Sequence, residues 1–407
     1  MDGLIGDLHI HSKYSRATSK NLNFENLVKY ARIKGIDILG TGDFTHPIWF
    51  EEIKKLKEKK GVYYYDNYPF LISGEVSLMF SQNGGRRVHL VLLVPSIEVA
   101  EKINSYLDTH GRRDYDGRPI FKIPCEKFVK DMMEISRDIE VIPAHCWTPW
   151  FGVFGSKSGF DSLKDAFGEQ IKNIHAIETG LSSDPPMNWR VKELDNIAIV
   201  SFSDSHSYWP WRLGREATIF DFKKNELSYE KVISAIRENK IVGTIEVDPA
   251  YGMYHYDGHR NCDFSCSPKK SKELNGLCPV CNEKLTIGVE NRVEEISERD
   301  REEGFNHENS KKFYKLLPLH EIISLFSGIG LTAKSNWKIY NELISFFGNE
   351  FKILLEVSEE DLLKEGVNER LVKLIMRNRE GKIKVVPGFD GTYGKVVIEE
   401  QKKLFMS

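Results

Sequence analysis

The sequence has no apolar run that approaches the ~18 residues a membrane-spanning helix needs, so we expect no membrane-spanning segment. Its first residues, Met1 to Asp7, lack a basic region followed by an apolar stretch, and we therefore expect no secretion signal. With only 31 glycines and six cysteines in 407 residues, the chain is neither collagen-like nor a disulfide scaffold. These absences favour a cytoplasmic protein.

An excess of either charge is also missing. The chain has 57 Lys and Arg residues against 60 Asp and Glu residues, which gives a net charge of −3. The surface as a whole is therefore not that of a basic nucleic-acid binder. A polyanionic partner would have to meet a local basic patch or bound metal cations.

The chain does have enough apolar material, 41% of its residues, for two or three globular domains. From residue 4 to residue 243, short apolar runs alternate with amphipathic segments, which predicts an α/β fold with a mostly parallel sheet, open or closed into a barrel. One amphipathic segment has Phe24, Leu27, Val28 and Ala31 on one helical face and ends at Gly35. The strand-like runs are 4–10, 36–40, 70–75, 88–94, 141–144, 174–178 and 197–202. We take residues 1–243 as the first of three parts.

Residues 244–290 break this alternation and contain four of the six cysteines, which lie within 20 residues as Cys262, Cys266, Cys278 and Cys281. Two cysteine pairs with tight internal spacing are typical of a tetrahedral Zn²⁺ site that serves folding and not catalysis. Disulfides are the alternative, which the lack of a secretion signal disfavours. We therefore predict, in this second part, a small zinc module with all four cysteines as ligands.

Residues 291–407 are predicted to be a charged connector followed by a helical C-terminal region. About half of segment 282–315 is charged, which predicts a solvated helix or a connector. Farther on, Ser335 and Ser358 are candidate helix caps, and Gly348 is a candidate helix end. The turn at 366–368 between two short helices resembles a helix–hairpin–helix DNA-backbone module, with a plain helical bundle as the alternative.

Histidines and carboxylates follow one strand-like run after another. Asp7, His9 and His11 end the first run, where residues two apart face the same side. The carboxyl ends of parallel strands converge, so side chains at later strand ends are expected to join them. Those candidates are Asp43, His46, Glu75, His89, His145, Glu178, Asp204 and His206. For His46, His89 and Glu178, the alternative is an ordinary hydrogen-bonded residue of the core.

Eight or more nitrogen and oxygen donors exceed what one tetrahedral ion needs and suit two or three ions. Such ions activate water and neutralise the charge on a phosphoryl group, so hydrolysis of a phosphate ester is the reaction most favoured. Histidine ligands favour Zn²⁺, whereas carboxylates also admit Mn²⁺ or Mg²⁺.

Aromatic and basic residues near these candidates predict contacts with nucleic acid. Trp147 follows His145, and Trp209 follows His206; rings in such loops are able to stack on an unpaired base. Packing in the core is the alternative for each ring. Paired arginines in loop-like stretches are candidate phosphate contacts, with plain surface charge as the alternative: Arg86, Arg87, Arg112 and Arg113.

The motifs at 7–12 (DLHIHS) and 203–206 (SDSH), with the intervening acids and histidines, resemble those of the polymerase-and-histidinol-phosphatase (PHP) superfamily. The resemblance implies a distorted (β/α)7 barrel with a trinuclear phosphoesterase site. It implies that Glu75 bridges two metals, that Asp43 is a further ligand, and that His206 binds a third metal. One metal would also be held by His9, His11 and Asp204, and the other by His89 and His145. Glu75 and Asp204, which would hold the nucleophile, are the candidate catalytic residues.

A narrower resemblance covers nearly the whole chain. The stretches 116–119 (DGRP), 178–190 (ETGLSSDPPMNWR) and 213–217 (LGREA) are long and unusual, and they are similar to those of the endonuclease Q family. This resemblance implies a DNA-repair endonuclease that nicks 5′ to a deaminated base (uracil, hypoxanthine or xanthine) or an abasic site. Two alternatives remain open: a small-molecule phosphatase on the same fold, and a catalytically dead DNA-binding scaffold.

Overall fold

The structure, a computed structural model, describes residues 3–308 and 310–397. Its strands are β1 (Leu4–Asp7), β2 (Ile38–Gly40), β3 (Lys57–Lys59), β4 (Val62–Tyr65), β5 (Tyr68–Ser81), β6 (Gly85–Val94), β7 (Ile120–Phe121), β8 (Glu140–Pro143), β9 (Ala176–Glu178), β10 (Ala198–Val200), β11 (Ala217–Phe220), β12 (Ile241–Glu246), β13 (Asp257–His259), β14 (Phe264–Cys266), β15 (Lys312–Lys315), β16 (Lys384–Val386) and β17 (Lys395–Val397). Its helices are α1 (Phe24–Lys34), α2 (Pro47–Ile53), α3 (Ile97–Asp108), α4 (Cys125–Ile135), α5 (Leu163–Phe167), α6 (Pro185–Trp189), α7 (Tyr229–Arg237), α8 (Pro268–Glu273), α9 (Val289–Ile296), α10 (Leu319–Ser327), α11 (Lys334–Phe347), α12 (Glu350–Leu355), α13 (Glu359–Lys364) and α14 (Glu369–Arg379).

The first part of the chain forms a distorted α/β barrel, but its sheet is mixed and not mostly parallel as predicted, because connections such as the three residues between β5 and β6 allow only an antiparallel hairpin. Strands β1, β2 and β5 pair in parallel, with Gly6 opposite Ile38 and Leu39 opposite Phe70. Antiparallel strands extend this sheet on both sides, β11 and β12 beyond β1, and β6 and β8 beyond β5. The parallel pair β9–β10 closes the ring, because the N–H of Cys146 after β8 donates to the carbonyl of Glu178, and Ile10 bridges to Ser205.

Local sequence signals account for helix α1. Asn23 caps it by accepting a hydrogen bond from the N–H of Asn26, and Gly35 ends it with a φ of 94°. The predicted apolar face, Phe24, Leu27, Val28 and Ala31, is buried. The predicted apolar face of this helix therefore packs into the hydrophobic core.

The C-terminal region is helical, as predicted, but one predicted cap is wrong. Helix α11 begins at Lys334, so Ser335 lies inside its first turn, and Ala333 is the cap residue. Ser358 does cap α13 through the N–H of Asp361, and Gly348 ends α11. Among the described residues, no helix is long and apolar enough to cross a membrane.

The charged segment 282–315 is more structured than a solvated connector. Its last strand, β15, pairs in parallel with β12 and thereby adds to the edge of the barrel sheet. Arg292 of α9 is buried and donates hydrogen bonds to the carbonyls of Phe154 and Phe160. The charged residues of this segment therefore include at least one, Arg292, that anchors the segment to the barrel.

The helical region packs directly on the barrel. Lys34 of α1 is 1% exposed, and its Nζ lies 2.6 Å from Oε1 of Glu350 and 2.7 Å from the carbonyl of Pro210. An aromatic cluster adjoins this ion pair through Tyr340, whose hydroxyl donates to Glu350. We call it the interdomain aromatic cluster, and it consists of Tyr30, Tyr208, Trp209, Trp211, His320, Trp337 and Tyr340. These contacts join α1 and the loop after β10 to α10, α11 and α12.

Candidate metal centre

Three site residues follow strands in sharp turns of the chain. Asp43 after β2, His145 after β8 and Asp204 after β10 have φ values of 47°, 31° and 46°. Left-handed backbone at residues other than glycine is uncommon and is often found at functional sites. These turns redirect each side chain towards the interior of the barrel end.

One group of four side chains meets at this end of the barrel. Nε2 of His11 lies 2.9 Å from Oδ1 of Asp204 and 3.4 Å from Oε2 of Glu75. Nε2 of His9 lies 3.6 Å from the same two carboxylate oxygens. All four candidate ligand atoms lie within 4.8 Å of one another, a spacing that is able to hold a metal ion.

A second group shares Glu75 with the first. Its other oxygen, Oε1, lies 2.6 Å from Nδ1 of His89 and 3.1 Å from Nε2 of His145. The two imidazole nitrogens are 3.3 Å apart. The Glu75 carboxylate therefore lies between two groups that are each able to hold an ion, one at each of its oxygens.

The orientation of the histidines fits metal ligation. Nδ1 of His9 lies 2.9 Å from a carboxylate oxygen of Glu178, while its buried Nε2 has no hydrogen-bond partner among the described residues. Nδ1 of His11 lies 2.9 Å from Oδ1 of Asp43 in the same way. A carboxylate that holds one ring nitrogen leaves the other nitrogen directed at the metal, which is the usual arrangement of histidine ligands.

The two carboxylates of the site are held in their charged form by neighbouring basic groups. Burial alone would raise the pKa of Glu75, but the charges of His89 and Arg118 hold it well below its usual value. Burial of Asp204 is likewise outweighed by its hydrogen bond from His11 and by the charges of His9 and His206, which lower its pKa. Both carboxylates are therefore ionised at neutral pH.

Several predicted residues lie outside the two groups. Asp43 accepts hydrogen bonds from the N–H and hydroxyl of Ser12, both at 2.6 Å, and holds His11 from behind. Asp7 was expected to project with His9 and His11, but it accepts bonds from Ser203 and the N–H of Gly214 and is not in either group.

His206 and His46 also stand apart. The ring of His206 packs against that of His11 at 4.4 Å, and its Nδ1 lies 2.9 Å from the carbonyl of Asp204. His46 stacks on Tyr14 and reaches neither group. A third metal at His206 stays a prediction.

Glu178, a predicted candidate of the site, lies behind the histidines, and Arg118, which was not among the predicted site residues, lies beside Glu75. Glu178 holds both Nδ1 of His9 and, at 2.8 Å, the N–H of His145. Nη1 of Arg118 lies 3.1 Å from Oε2 of Glu75, and the Arg118 side chain is 25% exposed. The unusual stretch 116–119 is the sequence signal that could have pointed to Arg118. A Cβ on Gly117 would lie 2.2 Å from Oδ2 of Asp43, so glycine is needed there for the chain to pass this close to the site.

The cysteine cluster differs from the prediction in one ligand. Cys262, Cys278 and Cys281 lie together with His259, whose Nδ1 is 3.2 Å from Sγ of Cys281. Cys266 lies outside this group because of the register of the β13–β14 hairpin. His259 pairs with Phe264 next to the turn, whereas Cys266 pairs with Asp257, two residues farther from the turn. Burial would raise the pKa of Cys278, but backbone N–H groups lower it to about 6, which favours the thiolate that binds a metal.

The candidate DNA-binding residues have partners within the protein. Trp147 is fully buried and donates to Oδ1 of Asn188, so stacking on DNA would require it to leave the core. Trp209 is stacked on Trp211 at 5.2 Å in the interdomain aromatic cluster. Arg86 packs on Phe160, Arg87 lies near Phe151, Arg112 pairs with Asp114, and Arg113 pairs with Asp108. Their contacts with DNA stay predictions.

A cavity of about 620 Å³ lies beside the first group. Asp204, His206 and Arg215 line it from the barrel, and Glu321 and Leu325 line it from α10. Arg215 is held in place because Nε and Nη2 donate to the carbonyl of Ser203. The cavity is large enough for a small molecule or one nucleotide.

We expect Glu178→Gln to weaken metal binding and activity by about 10- to 100-fold, because the variant loses the charge that orients His9. The metal concentration needed for half-maximal activity should rise, and part of the loss should be recovered at saturating metal. Metal titration of the activity checks this, with the exposed Glu169→Gln as the control. A metal dependence unchanged from the wild type would contradict this role.

Two buried glutamates lie next to the barrel end. Glu246, at the end of β12, accepts hydrogen bonds from the hydroxyls of Thr179 and Ser201, both at 3.0 Å. Burial, with the negative charge of Asp184, raises the pKa of Glu246 to about 8, and burial shifts Glu216 in the same direction. The folded protein therefore holds protons at neutral pH that the unfolded chain releases.

This pair predicts a loss of stability with rising pH. The ordinary pKa of glutamate is 4.5, so the contribution of protonated Glu246 is complete below that pH and is lost as the pH rises through about 8. Glu246→Gln stays neutral and keeps an acceptor oxygen, so its Tm should fall less between pH 6 and pH 9 than that of the wild type, by at least about 2 °C. Thermal unfolding across this range measures the difference, with the exposed Glu230→Gln as the control. Parallel curves for Glu246→Gln and the wild type would refute it.

Comparison with known proteins gives matches to both the helical region and the whole chain. A family model described as the MJ0043 C-terminal domain matches residues 318–382. The protein MJ0043 of Methanocaldococcus jannaschii is 34% identical over 305 residues, which are 72% of this chain and 35% of that protein. The chain thus spans about a third of the length of this relative.

Two solved structures match over nearly the full length. The lesion-specific endonuclease PfuEndoQ from Pyrococcus furiosus is 30% identical, with a TM-score of 0.87, over 98% of this chain and 96% of that chain. An endonuclease Q in complex with a 27-mer duplex that has an abasic lesion at the active site is 31% identical. Its TM-score is 0.86, over 98% of this chain and 97% of that chain.

Proposed function

The chain belongs to the endonuclease Q family, and from this premise we propose that it is a metal-dependent DNA endonuclease. Its substrate is DNA with a deaminated base (uracil, hypoxanthine or xanthine) or an abasic site, and it hydrolyses the phosphodiester bond 5′ to the lesion. The observation that carries the proposal is the Glu75 carboxylate, which has one candidate metal group at each oxygen. Two adjacent ions are the arrangement that phosphodiester hydrolysis uses.

The residues of the chain have distinct tasks in this reaction. His9, His11 and Asp204 would hold one ion with Glu75, and His89 and His145 would hold the other with it. Bound divalent ions would activate water and stabilise charge on the phosphoryl group. Glu178 and Asp43 keep the imidazole rings in the ligating orientation, and both lie behind the histidines that they hold.

Arg118 and the cavity are proposed to contact the DNA. The side chain of Arg118 is a quarter exposed and its guanidinium lies next to Glu75, so it is placed to contact a phosphate oxygen that enters the site. The cavity beside Asp204 is proposed to receive the nucleotide at the lesion, out of the base stack. Zn²⁺ is proposed for the cysteine cluster, and Zn²⁺, Mn²⁺ or Mg²⁺ for the barrel end.

One experiment tests this function and its rivals. The protein is incubated with end-labelled duplexes that carry uracil, hypoxanthine, an abasic site or no lesion, with divalent metal or with EDTA, and the cut is mapped. We expect nicks 5′ to the lesion only, with 3′-hydroxyl and 5′-phosphate ends, and only with metal. Turnover of p-nitrophenyl phosphate without nicking would favour the small-molecule phosphatase. A metal content of about one zinc per chain, with no nicking, would favour the inactive scaffold.

A further inference from the structure

The turn between α10 and α11, residues 328–333, presents an apolar side chain to solvent; we call it the α10–α11 hairpin. Ile329 is at its tip and is 48% exposed. Gly328, with a φ of 70°, and Gly330 flank it, and a Cβ at either glycine would meet no atom within 4 Å among the described residues. The tip therefore projects into open space.

The hairpin is braced from behind by side chains. The carbonyl of Ile329 accepts hydrogen bonds from Oγ of Ser324 at 2.6 Å and from Nδ2 of Asn336 at 3.2 Å. Its N–H donates to Oγ of Ser327, whose hydroxyl donates to Oδ1 of the buried Asn336. Because both backbone groups of Ile329 are satisfied within the protein, the backbone at the tip is held in one position.

The hairpin borders the cavity of the candidate active site. Ser324 and Leu325 before the tip and Leu331 after it line the cavity that Asp204 and His206 also line. The exposed isoleucine is therefore next to the space proposed for the nucleotide at the lesion.

The charge that follows the tip suits a phosphate backbone. Lys334 and Lys338 are both exposed on α11, and no acidic residue precedes Glu342 in that helix. The turn between α13 and α14 differs, because two exposed acids, Glu365 and Glu369, stand beside the exposed Lys364 and Arg370 and make its charge mixed. Of these two turns, the α10–α11 hairpin therefore has the charge that better complements the negative phosphate backbone of DNA.

We propose that Ile329 is a wedge that enters the base stack of duplex DNA beside the lesion. This inference rests on the proposed function and deepens it. An extrahelical nucleotide leaves a gap that would otherwise collapse, and apolar side chains inserted between base steps are a known way to hold DNA open. Because the backbone of the tip is already held in place, little backbone conformational entropy is lost when Ile329 enters such a gap.

Ile329→Ala shortens the side chain and leaves the backbone hydrogen bonds of the hairpin in place. We expect nicking of a lesion-containing duplex to fall about tenfold or more, while nicking of the same lesion in a single strand stays within about twofold, because a single strand needs no wedge. A 2-aminopurine beside the lesion should brighten on binding of the wild type and much less with Ile329→Ala. Ile329→Leu should restore most of the duplex activity.

Phe346→Ala is the matched control, since Phe346 is 47% exposed on the same helix α11 but far along the chain from the tip. Equal loss on duplex and single strand, or no loss on either, would overturn the wedge. Failure of the wild type to nick any lesion substrate would instead overturn the proposed function, so the two failures are distinguishable.

Discussion

Asp204→Ala should lower nicking of a lesion-containing duplex by about a thousandfold or more, because metal-ion catalysis is worth several kcal/mol of transition-state stabilisation. Oδ1 of Asp204 lies 2.9 Å from Nε2 of His11, inside the first metal group. After the substitution, that group would keep one carboxylate, that of Glu75. The change removes one carboxylate from the cavity wall, but Arg215, His206 and the Arg118 guanidinium stay in place. Binding of lesion DNA should therefore stay within about threefold of the wild type.

Single-turnover nicking and fluorescence anisotropy with the same labelled duplex separate these two effects. Asp221→Ala is the matched control, because Asp221 is exposed and lies directly after β11, outside the site. Cleavage by purified Asp204→Ala at close to the wild-type rate would remove the proposed centre. Loss of DNA binding in parallel with cleavage would show that the residue acts on folding or binding instead.

Lys34→Met should destabilise the protein by about 3–5 kcal/mol, the usual cost when one partner of a buried ion pair is removed. Glu350 would be left with the N–H of Leu319 at 2.9 Å and the hydroxyl of Tyr340 at 2.8 Å, but with no cation. Both charged groups lie at the contact between α1 and the helical region, where Lys34 is 1% exposed and Glu350 is fully buried. The loss should therefore appear first as separation of the helical region from the barrel.

Urea unfolding followed by tryptophan fluorescence, with limited proteolysis alongside, measures this change. The exposed Lys29→Met on the same helix is the control and should change stability by less than about 0.5 kcal/mol. The double variant Lys34→Met/Glu350→Gln should be more stable than Lys34→Met, since no unpaired charge remains buried. If Lys34→Met unfolds at the wild-type urea concentration, the ion pair has no role in joining the two regions.

Strand ends were the most predictable part of the site. Alternating apolar runs indicated where β2, β5 and β10 lie, and Asp43 and Asp204 follow β2 and β10 as predicted. Glu75, by contrast, lies within the longer strand β5, and His89 lies within the antiparallel strand β6. The helical C-terminal region was also predictable, because Ser358 and Gly348 are ordinary helix-boundary residues.

Side-chain direction was less predictable. Asp7 shares the alternation of His9 but faces Ser203 and Gly214, because the chain leaves strand geometry directly after Asp7. His259 joined the cysteine cluster because of hairpin register, which cysteine spacing does not report. Contacts between distant segments, such as Glu178 with His145, depend on the closed barrel and have no local sequence pattern.

Because of the interdomain aromatic cluster, the barrel and the helical region of this chain are not expected to work as independent modules. Trp209 and Trp211 follow Asp204 and His206 by a few residues, yet they pack on His320 and Trp337 of the helical region. A minimal barrel cut after residue 243 would lose that cover and also the edge strand β15. Transplanting the barrel alone would therefore require a redesign of the loop after β10, which carries Asp204 as well as Trp209 and Trp211. For the same reason, substitutions in this loop and in the helical region that it contacts are expected to co-vary in evolution.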